Sequence, residues 1–130
     1  MCLRVRLLTP KGVVWDAEVN EIILPTNTGK IGILKGHAPL LSGLKIGVLQ
    51  LKTDNGCTKI VLLEGFCEIE KNLVTVVSNG SEEGSTIDLE AAKEYFEKTN
   101  LLRKQANTKK EKIVATKTFQ KAKARVEAAN

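Results

Sequence analysis

The feature that most constrains this chain is the place where glycine and proline stop. All ten glycines lie at or before Gly84 and all three prolines at or before Pro39; residues 85–130 contain neither. Glycine and proline punctuate strands and turns and weaken helix interiors, so their joint disappearance marks a change of architecture. Charge changes at the same place. Residues 1–87 carry nine basic and nine acidic side chains, while residues 88–130 carry eleven and six, so the net charge of +5 belongs to the second part. The reading is two units, 1–87 and 88–130.

The first unit reads as short β-strands. After an opening strand in MCLRVRLLTPKG come VVW at 13–15, EVNEIILP at 18–25, KIGIL at 30–34, KIGVLQLK at 45–52, TKIVLLEG at 58–65, FCEIE at 66–70 and NLVTVVSN at 72–79. These are β-branched runs with partial alternation. Turn signals separate several of them: Thr-Asn-Thr-Gly at 26–29, Thr-Asp-Asn-Gly at 53–56 and Lys71-Asn72. Many short strands with glycine turns and no helical period predict an antiparallel β-sandwich or barrel. Its core must be aliphatic, because Trp15, Phe66, Tyr95, Phe96 and Phe119 are the whole aromatic supply.

The second unit reads as a two-helix antiparallel hairpin, which makes the fold class α+β. Asp88 stands before LEAAKEYFEK as a helix cap, with Glu90 adding negative charge to the first turn; Ser85 with Asp88 is an alternative capping box. Leu89, Ala92 and Phe96 share one face. The apolar pattern lapses around 104–109, where the chain should reverse. A second helix over about 110–129 repeats Ala115, Phe119, Ala122, Val126 and Ala129 as one narrow stripe, with Lys110, Lys117 and Lys121 on the opposite face. Such a helix is ~30 Å long. A stripe built mostly of alanine buries little area, so packing should hold the hairpin by only a few kcal/mol before entropy is counted. A hairpin fastened that lightly could detach and extend.

Several function classes fall away on motif grounds. Gly29, Gly32 and Gly36 fit neither G-x-x-x-x-G-K-[ST] nor G-x-G-x-x-G, and no helical segment follows them, so a phosphate loop is excluded. His37 is the only histidine and has no serine or cysteine partner in any catalytic motif. Cys2, Cys57 and Cys67 form no C-x-x-C pair, which argues against a zinc site and a disulfide framework; reduced thiols in a reducing compartment are the plain reading. Asn79-Gly80-Ser81 reads as a turn. No apolar run approaches the ~20 residues of a membrane span, and the first residues lack the apolar region of a signal peptide. No enzyme, metal or cofactor site emerges. The basic helix remains: nine cations against Glu111 alone within 103–125. It suits an acidic protein surface, a solvated face, or, as the alternative function, nucleic acid bound by a small adaptor.

Taken together, Val14-Trp15, Glu21-Ile22-Ile23-Leu24-Pro25-Thr26-Asn27, Gly29-x-Ile31-Gly32-Ile33-Leu34 and Gly36-His37-Ala38-Pro39-Leu40, followed by a basic hairpin, resemble the epsilon subunit of F-type ATP synthases over the whole chain. Trp15-Asp16 and EIILPTNTG resemble its plastid and cyanobacterial branch. The resemblance implies a non-catalytic rotor part, without cofactor, that couples the c-ring to the gamma subunit and restrains ATP hydrolysis through its helices. It places Lys30, Ile31, Gly32, His37, Ala38 and Pro39 in the c-ring and gamma docking region. It places Lys117, Lys121, Lys123 and Arg125 against acidic segments of the catalytic beta subunits. It implies no nucleic-acid partner, and membrane contact only through the c-ring. Some bacterial members bind ATP between the helices through a motif like I/L-D-x-x-R-A; here Ala91 stands where the arginine belongs, which speaks against ATP sensing. No transit peptide is visible, so the expected location is the stromal side of the plastid thylakoid, or the cytoplasmic side of a bacterial membrane.

Overall fold

The computed structural model describes residues 3–130. The described residues form ten strands: β1 (Leu3–Thr9), β2 (Gly12–Val19), β3 (Glu21–Thr26), β4 (Gly29–Ile33), β5 (Leu40–Leu44), β6 (Gly47–Thr53), β7 (Gly56–Leu62), β8 (Gly65–Glu70), β9 (Leu73–Ser78) and β10 (Ser81–Glu83). A single 3₁₀ turn at Gly84–Thr86 leads to helices α1 (Leu89–Gln105) and α2 (Lys109–Ala129).

The strands pair in the order β10-β7-β6-β3-β5-β8-β9-β1-β2, with β4 added beside β3. The link between β3 and β5 is a single pairing, Thr26 with Leu44, and there the sheet turns a corner. Apolar side chains from both arms then meet in one core that includes Leu3, Val5, Ile22, Leu24, Ile33, Leu49, Leu51, Ile60, Leu62, Cys67, Ile69, Val74 and Val76. The result is a sandwich: β10, β7, β6, β3 and β4 in one layer, and β5, β8, β9, β1 and β2 in the other. The pairings are antiparallel except for β1 with β9, which run parallel in the register Arg4–Leu73 to Leu8–Val77. No sequence signal announces that pair, since β1 and β9 are far apart in the chain.

Local chemistry explains the turns. Lys71 (φ 50°) and Asn72 (φ 64°) both lie in the left-handed region between β8 and β9. This is the two-residue hairpin geometry that matches strand twist. Between β6 and β7 the loop residues are Asp54 and Asn55, and Gly56 (φ +131°) already pairs with Thr53. At Gly65 the backbone of β9 passes so close that a side chain would overlap the Val77 carbonyl. Two strands are not legible in the sequence. β5 (LLSGL) lacks clear alternation, and β10 (SEE) has no apolar residue. The run at 18–25 divides at Asn20 into β2 and β3.

The helices follow the expected spans, and Asp88 caps α1 by accepting a hydrogen bond from the Ala91 N–H at 3.2 Å. The capping box lies at the start of α2. There the Thr108 hydroxyl accepts from the Glu111 N–H at 3.1 Å, and the Glu111 carboxylate accepts from the Thr108 N–H at 3.4 Å. Phe96 and Phe119 stack between the helices at 5.1 Å, and the Arg103 guanidinium covers the Phe119 ring at 4.1 Å.

Candidate functional site

Helix α2 has two packed faces. The predicted stripe turns Phe119, Ala122 and Val126 inward or partly inward. A second stripe, Ala124 and Ala128, lies against the outer side of β6 and β7, in a cluster with Val48, Val61, Ile87 and Ala92. Approach is close because residue 84 is glycine: a methyl there would overlap the Ala128 carbonyl oxygen and sit 3.0 Å from that of Lys59. At the end of the helix, the Lys59 ammonium donates to the Asn130 carbonyl at 3.3 Å.

This docking decides where the predicted cations point. The Arg125 guanidinium donates twice to Glu82 on β10, at 2.8 and 3.3 Å. The Lys117 ammonium lies 3.2 Å from Glu64, in the connection between β7 and β8. Lys121 lines a crevice with Val61, Leu63 and Glu82, and Lys123 faces a cleft that also contains Lys30 and Lys45. The acidic surface met by this basic face is therefore the chain's own sandwich, along the same edge where the alanines pack. The spacing 117, 121, 124, 128 marks this face in the sequence, but only the first two positions stand out by charge. Both ion pairs are substantially exposed, and each contributes ~0–1 kcal/mol. The alanine contacts and the ion pairs together hold the hairpin lightly.

The six residues predicted to dock do not form one patch. Lys30 lies near the start of β4, beside the β3–β4 turn, and faces α2, whereas Ile31 is half-buried against the main core. Gly32 is exposed opposite Ile23. His37, Ala38 and Pro39 lie beyond the other end of β4. Gly36 (φ +83°) donates its N–H to the Asn72 side chain at 2.7 Å, and the His37 N–H donates to the Leu34 carbonyl at 3.2 Å. His37 Nδ1 lies 2.7 Å from the Ala38 carbonyl. The loop is thus braced by the β8–β9 turn, with Ala38, Pro39 and Leu34 projecting outward.

A surface with no counterpart among the predicted sites covers the outer face of the second layer. Cross-strand neighbours Gly43, Phe66, Val77, Leu8 and Val13 form a row across five strands. Phe66 is 48% exposed and, one step along β5, Leu41 is 70% exposed. The adjacent row carries Glu68, Thr75, Arg6 and Asp16. The Arg4 guanidinium grips Asp16 at 2.9 and 3.0 Å and holds its carboxyl below the usual carboxylate range. The signal lies in FCEIE: Cys67 and Ile69 face the core, so the large aromatic Phe66 falls on the outward register with Glu68 and Glu70. A second exposed apolar set, Leu101, Leu102, Ile113 and Val114, sits near the hairpin tip, where Leu102 and Val114 line a groove of about 560 Å³.

Among the described residues no cluster of histidine, cysteine and carboxylates could hold a metal ion, and no helix is long and apolar enough to cross a membrane. Cys57 is an exposed free thiol and Cys67 a buried one whose ionisation burial pushes up; Cys2 lies outside the described residues.

Residues 2–84 match the family model described as "ATP synthase, Delta/Epsilon chain, beta-sandwich domain". The chain belongs to the ATP synthase delta/epsilon family. It is 52% identical over 128 residues to the chloroplastic ATP synthase epsilon chain of Emiliania huxleyi, covering 98% of each. It is 46% identical over 132 residues to the ATP synthase epsilon chain of Thermosynechococcus vestitus, covering 99% of this chain and 96% of that one. The fold recurs, at 21% identity and a TM-score of 0.84, in a chain of the cryo-EM structure of Euglena gracilis mitochondrial ATP synthase (OSCP/F1/c-ring, rotational state 1). That match covers 98% of this chain and 81% of the other. Membership in this family gives no support to the nucleic-acid alternative, and the ion pairs of Lys117 and Arg125 with the sandwich interrupt the continuous basic face it needs.

Proposed function

We propose that this epsilon-family chain is a non-catalytic rotor subunit of a plastid or cyanobacterial-type ATP synthase, peripheral to the membrane on its stromal or cytoplasmic side. Residues 1–87 form the part that grips the rotor. The row Phe66–Val77–Leu8–Val13, flanked by the Arg4–Arg6–Asp16 charges, is the face offered to the gamma subunit. An apolar strip beside a charged rim suits a protein interface. The loop end at His37, Ala38 and Pro39 is offered to the c-ring, whereas Lys30, at the far end of β4, faces α2.

Residues 88–130 form the restraint. The observation that carries this reading is the pairing of Arg125 and Lys117 with Glu82 and Glu64. In the docked state the sandwich holds two of the cations, and the rest of the basic face is turned toward it. Release of the hairpin would free Lys117 and Arg125 from the sandwich acids and let them, with the already exposed Lys121 and Lys123, meet acidic segments of the beta subunits. The sandwich acids then compete with the catalytic head for the same cations. The exposed aliphatic tip supports the same reading, since it has no cover in the isolated chain and would gain one in an assembly. Full switching of such a two-state element takes ~5 kcal/mol of differential binding, within reach of four desolvated cations and four aliphatic side chains.

The test uses the intact chain and a form ending at residue 87. Both should assemble with gamma, and only the intact chain should inhibit ATP hydrolysis. Changing Lys117, Lys121 and Arg125 together to Glu should relieve inhibition without preventing assembly. A truncated chain that fails to bind gamma, beside an intact chain that binds DNA with a steep salt slope, would overturn the proposal.

A further inference from the structure

Between Ile33, the last residue of β4, and Leu40, the first of β5, the chain crosses one end of the sandwich. Its first turn is closed by the Leu34 carbonyl, which accepts from the His37 N–H at 3.2 Å, and the third residue of that turn is Gly36 at φ +83°. A third residue near φ +80° marks a type II turn, which differs from type I by roughly a half-turn of the central peptide. Here that peptide joins Lys35 to Gly36. Its N–H donates to Asn72 Oδ1 at 2.7 Å, so a side chain 36 residues away holds it in one of the two orientations. Asn72 is itself firmly mounted. It is the second residue of the β8–β9 turn, next to the paired Glu70 and Leu73, and its carbonyl accepts from the Arg4 N–H of β1 at 2.9 Å. The turn alone does not call for asparagine. Both its residues have φ above zero, and glycine meets that condition without steric cost, whereas asparagine only tolerates it. Glycine at 72 would keep the turn and leave the Gly36 N–H without this partner.

We propose that Asn72 is a positioning residue for the docking loop: its side-chain oxygen holds the Lys35–Gly36 peptide in one orientation and so sets the shape in which Ala38 and Pro39 are offered. This role rests on the reading that the loop meets the c-ring. Proline fixes its own φ and confines the residue before it to extended backbone, so Ala38 and Pro39 form a stiff, outward-facing pair. His37 Nδ1, 2.7 Å from the Ala38 carbonyl, stiffens it further. The free joint is Gly36, where glycine permits either turn type. Rotation of the Lys35–Gly36 peptide would redirect the chain at His37 and carry the exposed pair with it. One neutral hydrogen bond biases two such forms by about three- to tenfold. A loop already held in its bound shape needs less ordering on contact and binds more tightly.

The test combines amide hydrogen exchange in the full-length chain with its affinity for gamma alone and for a gamma–c-ring complex. The gain in affinity that the ring adds is the docking readout. Asn72→Gly should leave the melting temperature and the affinity for gamma alone nearly unchanged. It should speed exchange at the Gly36 amide and reduce the gain from the ring, each by about three- to tenfold. Asn72→Asp keeps an acceptor oxygen and tolerates the left-handed backbone, and should restore both. Ala38→Asp alters the offered surface directly, and should lower the gain while Gly36 stays protected. Unchanged Gly36 exchange in Asn72→Gly would overturn the proposal, as would a gain lowered by Ala38→Asp but not by Asn72→Gly. A gain untouched by either variant would overturn the c-ring reading and the proposal together.

Discussion

Replacing Gly84 by alanine should release the hairpin without unfolding the sandwich. The added methyl meets the backbone of Ala128 on one side and of Lys59 on the other, and neither can swing aside as a side chain would. Overpacking of this kind costs about 1–3 kcal/mol. Against it stand the buried methyls of Ala124 and Ala128 and the parts of Val48 and Val61 that they cover. At ~0.8 kcal/mol per buried carbon that is roughly 3–4 kcal/mol, and two exposed ion pairs add ~0–1 kcal/mol each. Ordering the helix consumes part of that sum. The substitution therefore removes a large share of what holds the hairpin, and the docked fraction should fall by about tenfold or more, since 1.4 kcal/mol is a factor of ten in population. Hydrogen exchange resolved by residue would show faster exchange along α2 and at the covered faces of β6 and β7. The core strands β1, β8 and β9 should keep their protection. Unchanged exchange in α2, or loss of protection throughout the sandwich, would refute the reasoning.

Three further outcomes are expected. Phe66→Ser should leave the melting temperature of the isolated chain nearly unchanged yet weaken gamma association by at least about thirtyfold, as for an aromatic anchor worth ~2 kcal/mol; titration calorimetry reads this directly. Thr108→Ala removes the α2 capping box and should destabilise the hairpin by about 1 kcal/mol, seen as faster exchange at residues 109–113 with the sandwich unaffected. In a Cys2→Ser background, Cys57 should react with a thiol reagent at once and Cys67 only on global unfolding. Burial keeps the Cys67 thiol protonated to higher pH than in the unfolded chain, so its contribution to stability is complete below the ordinary thiol value and declines as pH rises above it.

The two-part architecture is legible because glycine, proline and charge all change near residue 85, and each helix carries its own apolar period. The strands with one solvated face, β1, β8 and β9, alternate clearly. The less regular runs in KIGVLQLK and TKIVLLEG have a meaning that alternation alone does not reveal. Leu49 and Ile60 face the core while Val48 and Val61 face α2, so these two strands are buried on both sides. A near-continuous apolar run is the mark of a strand covered on both faces, and here it marks the hairpin's seat. The basic face reads correctly as cationic, but its docked partner is hidden. Glu64 and Glu82 are ordinary loop and edge acids until α2 docks on the layer that holds β7 and β10 and comes to lie beside them. Lys30 and Lys123 are assigned by resemblance to different partners, and only the docked hairpin places them beside one cleft. The Phe66 row depends on the parallel β1–β9 pair, which carries no local signature.

The central claim is that sandwich acids and catalytic head compete for one set of cations. The most direct measurement is the ATP hydrolysis rate of the reconstituted catalytic sector carrying Glu64→Gln and Glu82→Gln together, with the amount of bound subunit held equal. These changes loosen the docked state and leave every cation in place. Deeper inhibition than with the unaltered chain is the predicted result; equal or weaker inhibition would contradict the account.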